Sequence, residues 1–291
     1  METTEIFKKV RKIEIKTRGL SNQIFSGEYH SSFKGKGMSF SEVREYQYGD
    51  DIRNIDWNVT ARFNHPYVKV FEEERELTVI LLIDVSGSNT FGSNLQYKQE
   101  LITEVAAVLS FSAIANNDKV GVIFFSDKVE KFIPPKKGSS HILRIIRELI
   151  DYRPQSSGTN ITEALRYFTN AIKKRSVAFL ISDFEDHGYD QALRIAARKH
   201  DLIALQIFDE KEKEIPPAGL LCLVDPETGR ETWIDTSDSR VRERFKNQRE
   251  ARQRYINDAI TRAGIDSTQL STGKDYVRPL MNLFKRRELR R

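Results

Sequence analysis

A single cysteine, Cys222, stands in a chain of 291 residues. That scarcity excludes an intramolecular disulfide framework and any cysteine-rich zinc site, and it fits a reducing compartment, so a cytoplasmic location is expected. Long apolar runs are missing too. The longest, residues 77–83 and 177–181, fall far short of the roughly 20 residues that cross a bilayer as a helix, so no membrane span is expected. The first 18 residues mix Glu with Lys and lack a continuous apolar core, which does not read as a secretory signal. The five histidines, His30, His65, His141, His187 and His200, are scattered and form no His-Glu-x-x-His zinc pair. Internal repeats and low-complexity stretches are also absent.

What is present begins with charge. Lys plus Arg number 47 against 42 Asp plus Glu, a net charge of +5. The excess is local: residues 237–291 hold 15 basic and 7 acidic side chains, which leaves the preceding 236 residues slightly acidic. Nucleic acid is therefore not the expected partner. The basic tail is expected to be a mostly solvated face, with peripheral contact to an acidic partner or anionic lipid as the alternative.

Four nearly continuous apolar runs, residues 77–83, 120–125, 177–181 and 202–208, have the character of strands covered on both faces. Between them, apolar residues recur every three or four positions. Leu95, Leu101, Ile102, Val105, Val108 and Leu109 form one such stripe, Ile142 to Leu149 a second, and Ile161, Ala164, Leu165, Phe168, Ala171 and Ile172 a third. These are helices with one apolar face. Strand alternating with helix implies βαβ units and a doubly wound, mostly parallel α/β sheet. Residues 128–133 alternate and precede two prolines, as an antiparallel edge strand does. Residues 220–224 and 231–234 flank Asp-Pro-Glu-Thr-Gly and read as a late hairpin. Residues 237–262 form a long arginine-rich helix with a thin apolar stripe. The expected organisation is an irregular, β-containing N-terminal elaboration over 1–76 that opens with a helix over 3–17, an α/β domain over 77–236, and a basic helical segment over 237–291 packed on or extending from that domain. In the elaboration, Asp50, Asp51 and Asp56 alternate with Arg53 ahead of Trp57, a pattern read as structural ion pairing.

The first apolar run ends in Asp84-Val85-Ser86-Gly87-Ser88. In an open α/β sheet the carboxyl ends of strands are where ligands bind. One carboxylate and two hydroxyls on a tight loop are hard oxygen donors of the kind Mg²⁺ prefers. Further oxygens are expected from Gly158-Thr159-Asn160, which opens a helix, and from Ile181-Ser182-Asp183, which ends a later strand.

Asp-x-Ser-x-Ser with a later Thr and Asp resembles the metal-ion-dependent adhesion site of von Willebrand factor A domains, a Rossmann-like fold. The resemblance implies that Ser86, Ser88 and Thr159 touch a metal and that Asp84 and Asp183 bind it directly or through water. It also implies a non-catalytic Mg²⁺, with Mn²⁺ or Ca²⁺ as substitutes, that keeps one position open for an acidic side chain of a protein partner. Upstream, Gly35-Lys36-Gly37-Met38-Ser39-Phe40, Glu42-Val43-Arg44-Glu45-Tyr46, Tyr48-Gly49-Asp50-Asp51-Ile52-Arg53, Ile55-Asp56-Trp57 and Thr60-Ala61-Arg62 resemble the N-terminal signature of bacterial domain-of-unknown-function family 58. That family is similar in being linked with MoxR-type AAA+ ATPases and membrane-anchored von Willebrand A proteins, including those of aerotolerance operons. No enzymatic activity is expected.

Other chemistries fit less well. A Mg²⁺-dependent phosphohydrolase using Asp84 as nucleophile is the alternative, but the second Asp of such enzymes, two residues on, is here Ser86. Ser86 lacks the Gly-x-Ser-x-Gly elbow of hydrolases. Gly273-Lys274 imitates the end of a phosphate-binding loop, yet Thr268 and Asp275 stand where that motif needs Gly and Ser or Thr.

Overall fold

The structure, a computed structural model, describes residues 39–72, 77–90, 92–93, 96–224 and 229–290, and the chain divides at residue 78 into two units. The helix expected over 3–17, His30 and the Gly35 to Met38 motif lie outside the described residues. In the first unit, β1 (Ser39–Glu45) pairs antiparallel with β2 (Tyr67–Glu72), and α1 (Trp57–Phe63) lies between them in the chain. Its three acids hold the turns. Asp50 takes both guanidinium nitrogens of Arg44 at 2.7 and 2.8 Å, Asp51 accepts from the Arg53 amide, and Asp56 caps α1 through the Asn58 and Val59 amides. Arg44 and Lys69, which lies 3.5 Å from Asp56, are the cations paired with these acids.

The second unit is built on β3 (Thr78–Asp84), β6 (Lys119–Phe125), β7 (Val129–Lys136), β8 (Val177–Ser182), β9 (Asp201–Phe208) and β12 (Asp266–Ser271). A two-residue ribbon, β4 (Gly92–Ser93) with β5 (Gln96–Tyr97), follows β3, and a hairpin, β10 (Leu220–Val224) with β11 (Glu231–Asp235), follows β9. The main sheet runs β12-β9-β8-β3-β6-β7. Its first five strands are parallel and β7 is antiparallel, so the doubly wound, mostly parallel α/β sheet is present. The chain goes from β3 to its neighbour β6 on one side and later returns as β8 on the other. The carboxyl end of β3 is therefore a topological switch point, the ordinary ligand crevice of such sheets.

The helices are α2 (Lys98–Ala115), α3 (Ser139–Asp151), α4 (Ile161–Ala171), α5 (Asp190–Lys199), α6 (Ser239–Ala263) and α7 (Val277–Leu289). Side chains alternate across the strands. Ile80, Leu82, Ile123, Phe125, Ala178 and Leu180 pack into one cluster with residues of α4, α5 and α6, while Phe179 meets Phe284 of α7, ring centroids 6.3 Å apart. Each fully buried aliphatic or aromatic side chain of this kind contributes roughly 1.5–3 kcal/mol. Helix α2 differs from its expected single stripe: it is buried nearly all round, Ser110 and Ser112 included. Edge strand β7 tolerates Pro134 and Pro135 because its outer side needs no ladder partner. Gly121 lets it approach: a Cβ there would lie 3.0 Å from the Pro135 nitrogen and 3.1 Å from the Ile133 carbonyl oxygen.

The carboxyl-terminal segment corrects the expected organisation. The α/β domain does not stop at residue 236, because β12 supplies the sixth strand and α7 covers it. Helix α5 was also not foreseen. Among the described residues no helix is long and apolar enough to cross a membrane.

Candidate metal centre

The five parallel strands deliver polar residues to one rim of the sheet. Asp84 ends β3, Ser126 follows β6, Ser182 ends β8 and Asp183 follows it, Asp209 follows β9, and Ser271 ends β12 with Thr272 after it; all are buried. Placing polar groups there without water requires partners for each, and the partners define the site. Asp84 accepts from the Ser86 amide at 2.9 Å on one oxygen and from the Ser182 hydroxyl at 2.6 Å on the other. The Ser86 and Ser88 hydroxyl oxygens lie 3.0 Å apart. The Ser88 hydroxyl donates in turn to Asp183, whose Oδ1 also accepts from the Glu185 amide at 3.2 Å. Asp84, Ser86, Ser88 and Asp183 thus form one hydrogen-bonded group across a chain separation of about a hundred residues.

Thr159 is carried by a neighbouring loop. Ser157 accepts from the Gly87 amide at 2.9 Å, and the Asn160 amide donates to Ser126 at 2.8 Å. Asn160 then caps α4 through the Glu163 amide. The loop bearing Thr159 is therefore fastened to the loop bearing the serines and to the end of β6.

The loop after β8 is held under strain. Phe184, a fully buried residue, has φ 62°, a conformation that bulky side chains adopt only when the surroundings enforce it. Its amide donates to Ser182 Oγ, and its carbonyl accepts from Arg252 at 2.8 Å. Arg252 also donates to the Asp186 carbonyl, Arg249 pairs with Glu185 at 2.6 Å, and Tyr255 donates to Asp190. The arginine-rich helix, expected to be a solvated face, clamps this loop through its inner side. Arg240, Arg244 and Arg254 remain exposed on it.

Three functional neighbours escaped sequence reasoning: Ser182, Lys98 and Glu212. Lys98 is 1% exposed, with its ammonium 3.1 Å from Asp183 Oδ2 and 2.5 Å from Glu212 Oε1. Its signal was a lysine three positions before Leu101, on the apolar stripe of α2. Burial opposes the Lys98 charge, but Asp183 and Glu212 outweigh it and raise its pKa. Burial likewise opposes the Asp183 charge, yet Lys98 and the Ser88 hydroxyl hold that carboxyl below its ordinary range. Glu212 is pushed up by burial in spite of Lys98. Burial, then the Asp183 charge, push Asp84 up to about 7.

Two cis ligands of an octahedral Mg²⁺, each about 2.1 Å from the ion, lie about 3.0 Å from one another, which is the Ser86–Ser88 oxygen separation. The donors are hydroxyls and carboxylates, a hard set suited to Mg²⁺. Among the described residues no group of three or more His, Cys, Asp or Glu side chains is arranged to hold a metal. Asp84 is buried, with its oxygens hydrogen-bonded to the Ser86 amide and the Ser182 hydroxyl. A cavity of about 290 Å³ touches Asp183, Glu185 and Glu212, and another of about 260 Å³ touches Asp84 and Ser86.

Residues 42–255 match the family described as "Protein of unknown function DUF58", and the chain belongs to that family. An uncharacterized protein of Mycobacterium tuberculosis, Rv1480, is 26% identical over 283 residues, which covers 96% of this chain and 88% of that protein. YeaD of Bacillus subtilis, also uncharacterized, is 28% identical over 131 residues, 45% of this chain and 29% of its own. Among solved structures, an aerotolerance-related membrane protein from Bacteroides fragilis superposes with a TM-score of 0.50 at 16% identity, over 74% of this chain and 100% of that one. At that identity the likeness is one of fold.

Proposed function

We propose that this DUF58 protein is a non-enzymatic interaction module that grips a partner protein through a divalent cation, Mg²⁺ in the first instance, at a site of the von Willebrand A kind. The observation that carries this reading is the pair of seryl oxygens 3.0 Å apart, set between two buried carboxylates at the switch point of the sheet. Ser86, Ser88 and Thr159 would supply the donor oxygens. Asp183 orients the Ser88 hydroxyl, and Asp84 braces the loop and accepts from bound water. When bound, the cation supplies an electrophilic position for an acidic side chain of the partner, because hydroxyl ligands leave its charge little reduced.

The proposed partners are a MoxR-type AAA+ ATPase and membrane-anchored von Willebrand A proteins, as the sequence resemblance implies for members of this family. The lone cysteine supports a cytoplasmic workplace.

The test is co-purification of a MoxR-type ATPase with the full chain, in Mg²⁺ and in EDTA, for the wild type and Asp84→Ala. Retention is expected to fall about tenfold or more with either EDTA or the substitution. Circular dichroism checks that the variant stays folded, since Asp84→Ala takes the acceptor from the Ser86 amide and the Ser182 hydroxyl. Retention that is indifferent to both treatments refutes the reading.

A further inference from the structure

The least expected group at the rim is the ammonium of Lys98. A lysine that is 1% exposed is costly to bury and persists only where carboxylates surround it. Here Asp183 lies at 3.1 Å and Glu212 at 2.5 Å. Glu212 is itself fixed, because its second oxygen accepts from the Asp209 amide at 3.1 Å and Asp209 accepts from the Thr272 hydroxyl beyond β12. Lys98 cannot drift from the centre without breaking this chain of contacts.

The Lys98 ammonium takes up one oxygen of Asp183, the carboxylate beside the serine loop. Lys98 shares Asp183 with the serines, since the Ser88 hydroxyl donates to the same carboxylate. A fixed positive charge at that position repels an incoming cation, and at low effective dielectric the repulsion is large.

We propose that Lys98 is a built-in cation of the centre that sets its affinity for divalent ions: held between Asp183 and Glu212, it weakens metal binding and keeps the site organised when the ion is absent. The inference rests on the metal reading above and adds the residues that tune it. Lys98 is a positioning and affinity-setting residue, not a ligand.

Direct Mn²⁺ binding to the full chain, followed by titration calorimetry and by the electron paramagnetic resonance signal of free Mn²⁺, tests it. Lys98→Met is expected to bind Mn²⁺ about tenfold or more tightly than the wild type. Lys98→Arg, which keeps the charge, should stay within about twofold. Glu212→Gln, which keeps the ammonium and removes one negative charge, should bind severalfold more weakly. Equal and measurable affinities in the wild type, Lys98→Met and Glu212→Gln overturn this inference while leaving the metal reading intact. Should Lys98→Met fail to fold, an unchanged affinity in Glu212→Gln overturns it alone. No Mn²⁺ binding by any of these proteins at millimolar concentration overturns both.

Discussion

Both ends of the main sheet bury a cation between two carboxylates, and the two arrangements differ in ways that separate structure from function. At the amino end, Arg287 of α7 reaches Asp201 at the start of β9, 2.6 Å away, and Asp266 at the start of β12, 2.5 Å away. At the carboxyl end, Lys98 lies between Asp183 and Glu212. The guanidinium is a planar fork that meets two carboxylates with directed hydrogen bonds. Its site joins neighbouring strands β9 and β12 to the helix that covers them. The ammonium is a point charge, and beside it lie two serine hydroxyls and a third carboxylate, Asp84, pushed up to about 7 by burial and by Asp183. The first end, where Arg290 also pairs with Asp266, ties strands to a helix. The second gathers a further carboxylate and hydroxyl oxygens, which a structural role alone does not require.

The comparison breaks if the two ends respond alike to mutation. Arg287→Ala should have the largest effect on stability, a loss of about 3 kcal/mol in urea denaturation, because it takes a buried guanidinium from two carboxylates only 18% and 26% exposed and leaves Asp266 to the exposed Arg290. Mn²⁺ affinity and partner retention should not change in that variant, and a loss of either at full folding would join the two ends functionally.

A smaller loss is expected on acidification at the amino end. His200, immediately before β9, is buried against Phe168 with ring centroids 4.3 Å apart, and its Nδ1 lies 3.1 Å from the Ser176 hydroxyl. Burial, helped by Lys199 and Arg175, lowers its pKa to about 4. The unfolded chain binds this proton near pH 6.5 and the folded chain only near 4, so the unfolded state holds more protons between those values. Stability from this group is fully present above about pH 6.5 and declines as the pH falls toward 4. Urea midpoints measured at pH 7.5 and 5 should show the decline, and His200→Asn should flatten it.

The smallest effect has the opposite sign. Asp84→Asn keeps the side-chain shape and an oxygen acceptor while removing a charge that burial and the neighbouring Asp183 disfavour. In EDTA at neutral pH it should be as stable as the wild type or up to about 1 kcal/mol more stable, as substitutions at functional sites often are. A clear destabilisation would place Asp84 with Arg287 as a structural charge.

The strands β3, β6, β8 and β9 were legible because their residues are covered on both faces, which leaves an almost unbroken apolar run in each. Edge strand β12 was not: Asp-Ser-Thr-Gln-Leu-Ser has one large apolar residue, Leu270, since the sheet edge demands burial of little else. Helix α5 buries only Leu193 and Ala196, too few to set a period. Asp84, Ser86 and Ser88 were readable from spacing, because alternate residues on one tight loop stay near each other whatever surrounds them. The partners Lys98, Ser182 and Glu212 were not readable that way. The role of the arginine-rich helix was missed for a related reason: a run of arginines has the same composition whether it faces water or, as with Arg249 and Arg252, a loop some 65 residues away in the chain.

The amino-acid sequence by itself determined the local pieces: which runs become buried strands, where the first strand turns, and that the turn carries a carboxylate and two hydroxyls. Period and spacing act over a few residues, so they survive without knowledge of the fold. Only the tertiary structure decided which charges meet. Lys98 lies 85 residues from Asp183 in the chain, and an ion pair depends on distance in space and on the exclusion of water, neither of which exists until the sheet and its covering helices have closed around it.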